Sequence, residues 1–172
     1  SVLPYNELGA AAAAYNADEK ELCRLDEIYS AAKTPFEIRS GSEKVTRRFF
    51  KICNNGQESF TGLYKSLTEQ GICKGHQCIA YGLYMRDNGI ELSEGLAVYG
   101  YSICSAIVTN CVKLVPLSQL AGQKILGESF ELISSASEKA LFTDINDIGI
   151  SGAGFDLRAM QHERLYSRQY MS

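Results

Sequence analysis

Two thiols and an imidazole lie within six residues in CKGHQC, residues 73–78: Cys73, His76 and Cys78. Zinc and nickel both accept sulfur and imidazole ligands. A metal site needs a full ligand set, however, and no second cluster completes four ligands here. The one other histidine is His162. The alternative is that His76 caps or packs at the start of a helix. SGAG, residues 151–154, loosely resembles a phosphate-cradling loop, but a dinucleotide fingerprint needs a preceding strand and a βαβ unit. The simpler reading is a connector.

Two other stretches carry residue types suited to binding. In VKLVPLSQLAGQK (112–124), Lys113 precedes a proline break, and Gln119 and Gln123 follow it. Such a helix–break–helix elbow could present Lys113, Gln119 and Gln123 to a partner. A lysine at a helix C-terminus also satisfies the helix dipole. The chain closes with QHERLYSRQYMS (161–172), whose Tyr166, Tyr170, Arg164 and Arg168 are types enriched at binding hot spots. In this reading Met160, Leu165 and Tyr166 dock on the body of the protein, while His162, Glu163 and Arg168 point outward.

Helix-period patterns dominate the elements that must hold these residues. Residues 5–17 include AAAAAY, a strong helix former. DEKELCRLDEIYSAA (18–32) places Leu22, Leu25, Ile28 and Tyr29 on one face. TPFE predicts a helix from Pro35 to about residue 53, with Thr34 as N-cap, Glu37 as capping-box acid, and Phe36, Val45, Phe49 and Ile52 inward. Gly41 weakens that helix. Further helices are expected at about 57–70 and 76–87. A long one, capped by Ser93 and ending before Pro116, carries an apolar stripe through Ile103, Cys104, Ile107, Val108, Cys111, Val112 and Val115. One helix is expected over about 118–142, then a glycine-rich loop and a final helix from near Asp156. The sum is all-α: a single-domain helical bundle over residues 1–172, with 155–172 as a tail.

Bulk properties narrow the class. The net charge is −3, so no basic surplus argues for nucleic acid or an anionic membrane. No apolar run is expected to reach the roughly 18 residues of a spanning helix, and SVLPYNELGA does not read as a secretory signal. Six irregularly spaced cysteines fit a reduced, cytoplasmic protein better than a disulfide scaffold.

TNCVKLVPLSQLAGQKIL (109–126) and MQHERLYSRQYMS (160–172), in that order and spacing, resemble the UreF family of urease accessory proteins. GHQCIAYGLYMRDNGIEL (75–92), with its Tyr81-Gly82 pair, and TPFEIR (34–39) are similar to earlier family helices. The resemblance implies an all-helical, non-enzymatic homodimer with no cofactor. It implies that the protein joins a UreD/UreH-type accessory protein, recruits the GTPase UreG and helps nickel reach apo-urease. Partner contacts are implied for Lys113, Gln119, Gln123, His162, Tyr166, Arg168 and Tyr170, with Arg168 supporting GTPase recruitment. Tyr99 and Tyr101 fall on the helix matching the family's dimer-forming helix. Compared with the family, a segment before the second helix is expected to be missing, leaving apolar surface that promotes self-association. Many relatives carry a second histidine where this chain has Gln77.

Two other classes stay open on residue chemistry alone. One is a thiol- or metal-dependent helical enzyme using Cys73, His76 and Cys78. The other is a helical ligand-binding module with a central apolar pocket.

Overall fold

An alanine-rich helix that presents almost no polar face must be surrounded. Helix α1 (Glu7–Asn16) meets that demand: Leu8, Ala10, Ala11, Ala12 and Ala14 are all buried, and α1 touches four other helices. The computed structural model describes residues 2–53, 56–115, 117–150 and 152–166. Among them the elements are α1, α2 (Glu19–Ala32), α3 (Phe36–Ile52), α4 (Phe60–Glu69), α5 (Gln77–Asp87), α6 (Leu92–Leu114), α7 (Gln119–Glu128), α8 (Phe130–Ala140) and α9 (Ala153–His162). Two short 3-10 turns, Leu3–Tyr5 and Ile145–Asp147, complete the set, and no strand occurs among the described residues. The all-α expectation holds.

The centre of the bundle is α1 laid against α5, with α2, α6 and α8 also against α1. Gly82 makes this possible. A Cβ there would stand 2.2 Å from the Ala11 carbonyl oxygen, so the two backbones touch where a side chain would hold them apart. That contact accounts for the glycine of the Tyr81-Gly82 pair.

Helix α2 follows its sequence closely. Asp18 accepts from the Glu21 N–H at 2.9 Å, and Glu21 accepts from the Asp18 N–H at 3.0 Å, a complete capping box. Leu22, Leu25 and Tyr29 are buried as expected. Asp26 is buried on the same face.

Helix α3 departs from expectation. Thr34 does not cap it; Pro35, with extended ψ, holds the N-cap position and the helix begins at Phe36. The face is also rotated. Phe36, Val45 and Ile52 are exposed, the last at 80%, while Thr46 and Phe50 are buried and Phe49 packs edge-on to Tyr84 at 5.4 Å. Its helical neighbours are chiefly α5 and α9, so α3 is a peripheral helix that buries a narrow stripe rather than the wide one its apolar content suggests.

Two other boundaries differ. Ser93 lies inside α6; the cap is Glu91, whose carboxylate accepts from the Glu94 N–H at 3.0 Å and from the Ser93 hydroxyl. The segment expected as one helix over 118–142 is two, α7 and α8. They meet at Ser129, whose hydroxyl donates to the Leu126 carbonyl at 2.7 Å. A hydroxyl that competes for a helix carbonyl favours such a break.

Helix α6 also corrects the expectation about apolar runs. By length and composition it is long enough and apolar enough to cross a membrane. Its first half supplies Leu96 and Tyr99 to the core. Its second half runs out beyond the core, and the expected stripe there is half-buried or exposed, with Ile107 and Val115 open to solvent. Ser102, Ser105, Thr109 and Lys113 interrupt it with polar groups.

Candidate functional site: an elbow groove and a latched C-terminal helix

The two helices of the elbow pack closely because Gly122 faces valines. A Cβ on Gly122 would lie 2.7 Å from Val112 Cγ2 and 3.3 Å from Val108 Cγ1. Ser118 starts α7 by accepting from the Ala121 N–H at 3.1 Å. Pro116 lies outside the described residues. The consequence is a groove of about 370 Å³ lined by Val108, Thr109, Val112, Lys113, Gln119, Gly122 and Gln123. The structure thus brings together the three elbow residues singled out from sequence, and all three are exposed. Around them Leu114, Leu120 and Ile125 are also exposed, Leu120 at 80%. A cationic head and two amides set on an apolar floor suit a polypeptide ligand, with polar groups fixing register and the apolar rim supplying area.

The C-terminal helix is held the opposite way round from expectation. The Glu163 carboxylate accepts from the Phe36 N–H at 2.7 Å, capping α3 from 127 residues away. His162 Nδ1 lies 2.7 Å from Glu37 Oε2. His162 and Glu163 are therefore tied to the start of α3, His162 while remaining exposed, whereas Leu165 and Tyr166 face solvent, Tyr166 without any cover at 107%. The start of α3 carries an orphan N–H and a partial positive charge, so a carboxylate is a suitable anchor there. Arg168 and Tyr170 lie outside the described residues.

The two tyrosines of α6 separate. Tyr101 is exposed and stacks on Phe130 with ring centroids 5.7 Å apart. Tyr99 is 2% exposed and stacks on Tyr81 at 4.4 Å. Burial holds its hydroxyl well above the usual tyrosine range. Its side chain is part of the protomer's own core, which corrects its assignment to a self-association face; the exposed residue of the pair is Tyr101.

Cys73, His76 and Cys78 do not converge. Cys73 Sγ meets Cys23 Sγ at 3.9 Å, and His76 Nε2 lies 2.7 Å from Ser30 Oγ. Cys78 is fully buried, and desolvation pushes its thiol up to about 12, far from a nucleophilic thiolate at neutral pH. Among the described residues no group of three or more His, Cys, Asp or Glu side chains is arranged to hold a metal ion. A cleft of about 320 Å³ opens between α3 and α6, but the Lys33–Glu7 ion pair, at 2.6 Å, lies in its lining. It is not the central apolar pocket that a ligand-binding module would offer.

What sequence reading missed is Asp26. Its carboxylate accepts from the Tyr64 hydroxyl at 2.6 Å, the Lys74 N–H at 2.7 Å and the Gly75 N–H at 3.1 Å. The Tyr64 oxygen in turn accepts from the His76 N–H at 2.8 Å. This hub pins the connection between α4 and α5 to α2. The signal was present: an acid on the apolar stripe Leu22, Leu25, Tyr29 is expensive unless several donors meet it.

His76 is wholly buried beside this hub, and its pKa is pushed down to about 4. Desolvation is the main cause; Asp26 opposes it, and Lys33 and Arg39 reinforce it. An unfolded histidine titrates near 6.5. Above that pH neither state carries the proton. Below it the unfolded chain binds a proton that the native ring refuses, so stability falls between pH of about 6.5 and about 4, by about 3 kcal/mol in all. Urea melts should show the wild type losing about 1 kcal/mol between pH 7.5 and pH 5.5 relative to His76→Gln. Equal losses in the two proteins would contradict a neutral buried ring.

The described structure is thus an all-helical protein whose recognisable surface features are a groove and a docked terminal helix. Comparison with known proteins carries the assignment further. The UreF family model matches residues 2–129. Urease accessory protein UreF of Actinobacillus pleuropneumoniae serotype 5b (strain L20) is 34% identical over 158 residues, covering 91% of this chain and 70% of that protein. The protein of the same name from Paenarthrobacter aurescens (strain TC1) is 31% identical over 152 residues, covering 86% and 67%. That from Streptococcus thermophilus (strain ATCC BAA-491 / LMD-9) is 28% identical over 148 residues, covering 86% and 62%. The chain belongs to the UreF family of urease accessory proteins.

Proposed function

We propose that this protein is a non-enzymatic scaffold for urease maturation in the cytoplasm, active as a homodimer. It joins a UreD/UreH-type accessory protein, recruits the GTPase UreG, and helps deliver nickel, as cargo, to apo-urease. Coupling to the GTPase requires a differential affinity for its two nucleotide states. Lys113, Gln119 and Gln123 form one contact patch, and the C-terminal segment with His162, Tyr166, Arg168 and Tyr170 forms another. The Tyr101 face of α6 serves self-association.

The observation that carries this reading is the elbow groove: three exposed polar side chains on one apolar floor, beside an apolar half-helix that the protomer leaves uncovered. Truncating exposed side chains costs little stability, within about 0.5 kcal/mol each. The triple variant Lys113→Ala/Gln119→Ala/Gln123→Ala should therefore fold and accumulate normally. In cells making urease and its accessory proteins, it should lower urease activity at least about tenfold, the loss of one hot-spot cluster. Full urease activity at normal accumulation would contradict the groove's role.

A further inference from the structure

Cys23 on α2 and Cys73 in the connection before α5 bring their sulfurs to 3.9 Å, although fifty residues separate them in the chain. Both are free thiols. A disulfide needs the sulfurs at about 2.05 Å, so closure requires roughly 2 Å of movement. The two sides are already registered, because Asp26, one turn beyond Cys23, holds the N–H groups of Lys74 and Gly75, just after Cys73. The thiols differ in access. Cys73 is buried, whereas Cys23 is half-buried and lines a surface recess with Asp18, Glu19 and Lys20.

We propose that Cys23 and Cys73 form a peroxide-sensitive thiol pair, in which Cys23 meets a small neutral peroxide and Cys73 resolves it as a disulfide. In the first step Cys23 gives its proton to solvent and its sulfur attacks a peroxide oxygen. The O–O bond breaks, leaving Cys23 as the sulfenic acid and releasing hydroxide, which takes up a proton to become water. In the second step the Cys73 sulfur attacks the Cys23 sulfur. The S–S bond forms, the S–O bond breaks, and the departing hydroxide takes the Cys73 proton to become water. Two thiols lose two electrons and one peroxide becomes two waters. The net acidic rim of Asp18 and Glu19 against Lys20 favours an uncharged oxidant over anionic glutathione disulfide. Burial, with Asp26 and Cys23 adding to it, holds the Cys73 thiol well above its ordinary range, so the more accessible Cys23 is the thiol that meets peroxide first. The product ties α2 to the connection before α5.

The test uses the full chain and hydrogen peroxide, followed by alkylation of remaining thiols and tryptic mapping. The expected product is ELCR (21–24) joined to SLTEQGICK (66–74), two hydrogens lighter than the separate peptides and reversed by dithiothreitol. Closing a loop of this length should raise the melting temperature by several degrees. In Cys23→Ser, Cys73 should lose its thiol at least tenfold more slowly. In Cys73→Ser, Cys23 should be trapped by dimedone as the sulfenic acid. If Cys73→Ser does not fold, the wild-type map decides alone. Cys23 found as sulfinic acid with Cys73 still alkylated, Cys73 joined to another cysteine, or equal Cys73 loss in Cys23→Ser would overturn the proposal.

Discussion

Gly82→Ala is expected to lower the melting temperature by about 10 °C, and Gly41→Ala to raise it slightly. The two glycines sit in helices of similar propensity, so intrinsic preference alone makes both substitutions favourable by up to about 1 kcal/mol. The surroundings reverse one of them. At Gly82 the new methyl would meet the Ala11 carbonyl oxygen at 2.2 Å and the Ala11 Cα at 3.1 Å. Backbone cannot rotate away as a side-chain tip can, so α1 and α5 must separate, and α1 also carries contacts to α2, α6 and α8. Overpacking of this kind costs about 3 kcal/mol, roughly 10 °C in a chain of this size. At Gly41 nothing lies within 4 Å of the added methyl. Thermal melts of the two variants beside the wild type check the pair. Similar shifts of the same sign would mean that the α1–α5 contact is not as close as described.

Asp26→Ala should destabilise the fold by about 4 kcal/mol. The substitution removes one acceptor group and leaves three buried or part-buried donors, the Tyr64 hydroxyl and the N–H groups of Lys74 and Gly75, without a partner. Each such group costs about 1–3 kcal/mol. Asp26→Asn keeps the shape but sets an NH₂ against one of the donors, so it should recover only part of the loss. A double-mutant cycle with Tyr64→Phe should give a coupling energy above about 1 kcal/mol, since the two groups share one network. Chemical denaturation supplies all four values. A loss below about 1 kcal/mol for Asp26→Ala would show that the connection relaxes to find other acceptors.

The sequence was most informative where a residue's structural reason is local. The Leu22, Leu25, Tyr29 face is set within α2 itself and was read correctly, whereas the equally local Asp18–Glu21 capping box was overlooked. The elbow was legible too, because Lys113, Gln119 and Gln123 are separated by one break between helices, and short-range geometry brings them together. Long-range contacts were not legible. The cap of α3 comes from Glu163 rather than Thr34, so the pattern TPFE suggested a local solution to a need met from the other end of the chain. For the same reason His162 and Glu163 are tied to the start of α3, while Leu165 and Tyr166, beyond the end of α9, are left exposed: two anchors outweighed the apolar pattern. Tyr99 and Tyr101 differ by two positions, about 200° around a helix, and only packing shows which of them faces inward. Asp26 was missed because its partners lie on the α4–α5 connection, which the sequence alone does not place beside α2.

The claim with most consequences is that the groove between α6 and α7 is a protein-docking surface. Size-exclusion chromatography with light scattering measures this directly, by mixing the chain with a UreD/UreH-type protein and then adding UreG. The wild type should run as one assembly containing all three, while Lys113→Ala/Gln119→Ala/Gln123→Ala, with unchanged helical content, should lose one of the two other proteins from the peak. A triple variant that assembles as completely as the wild type would contradict the account.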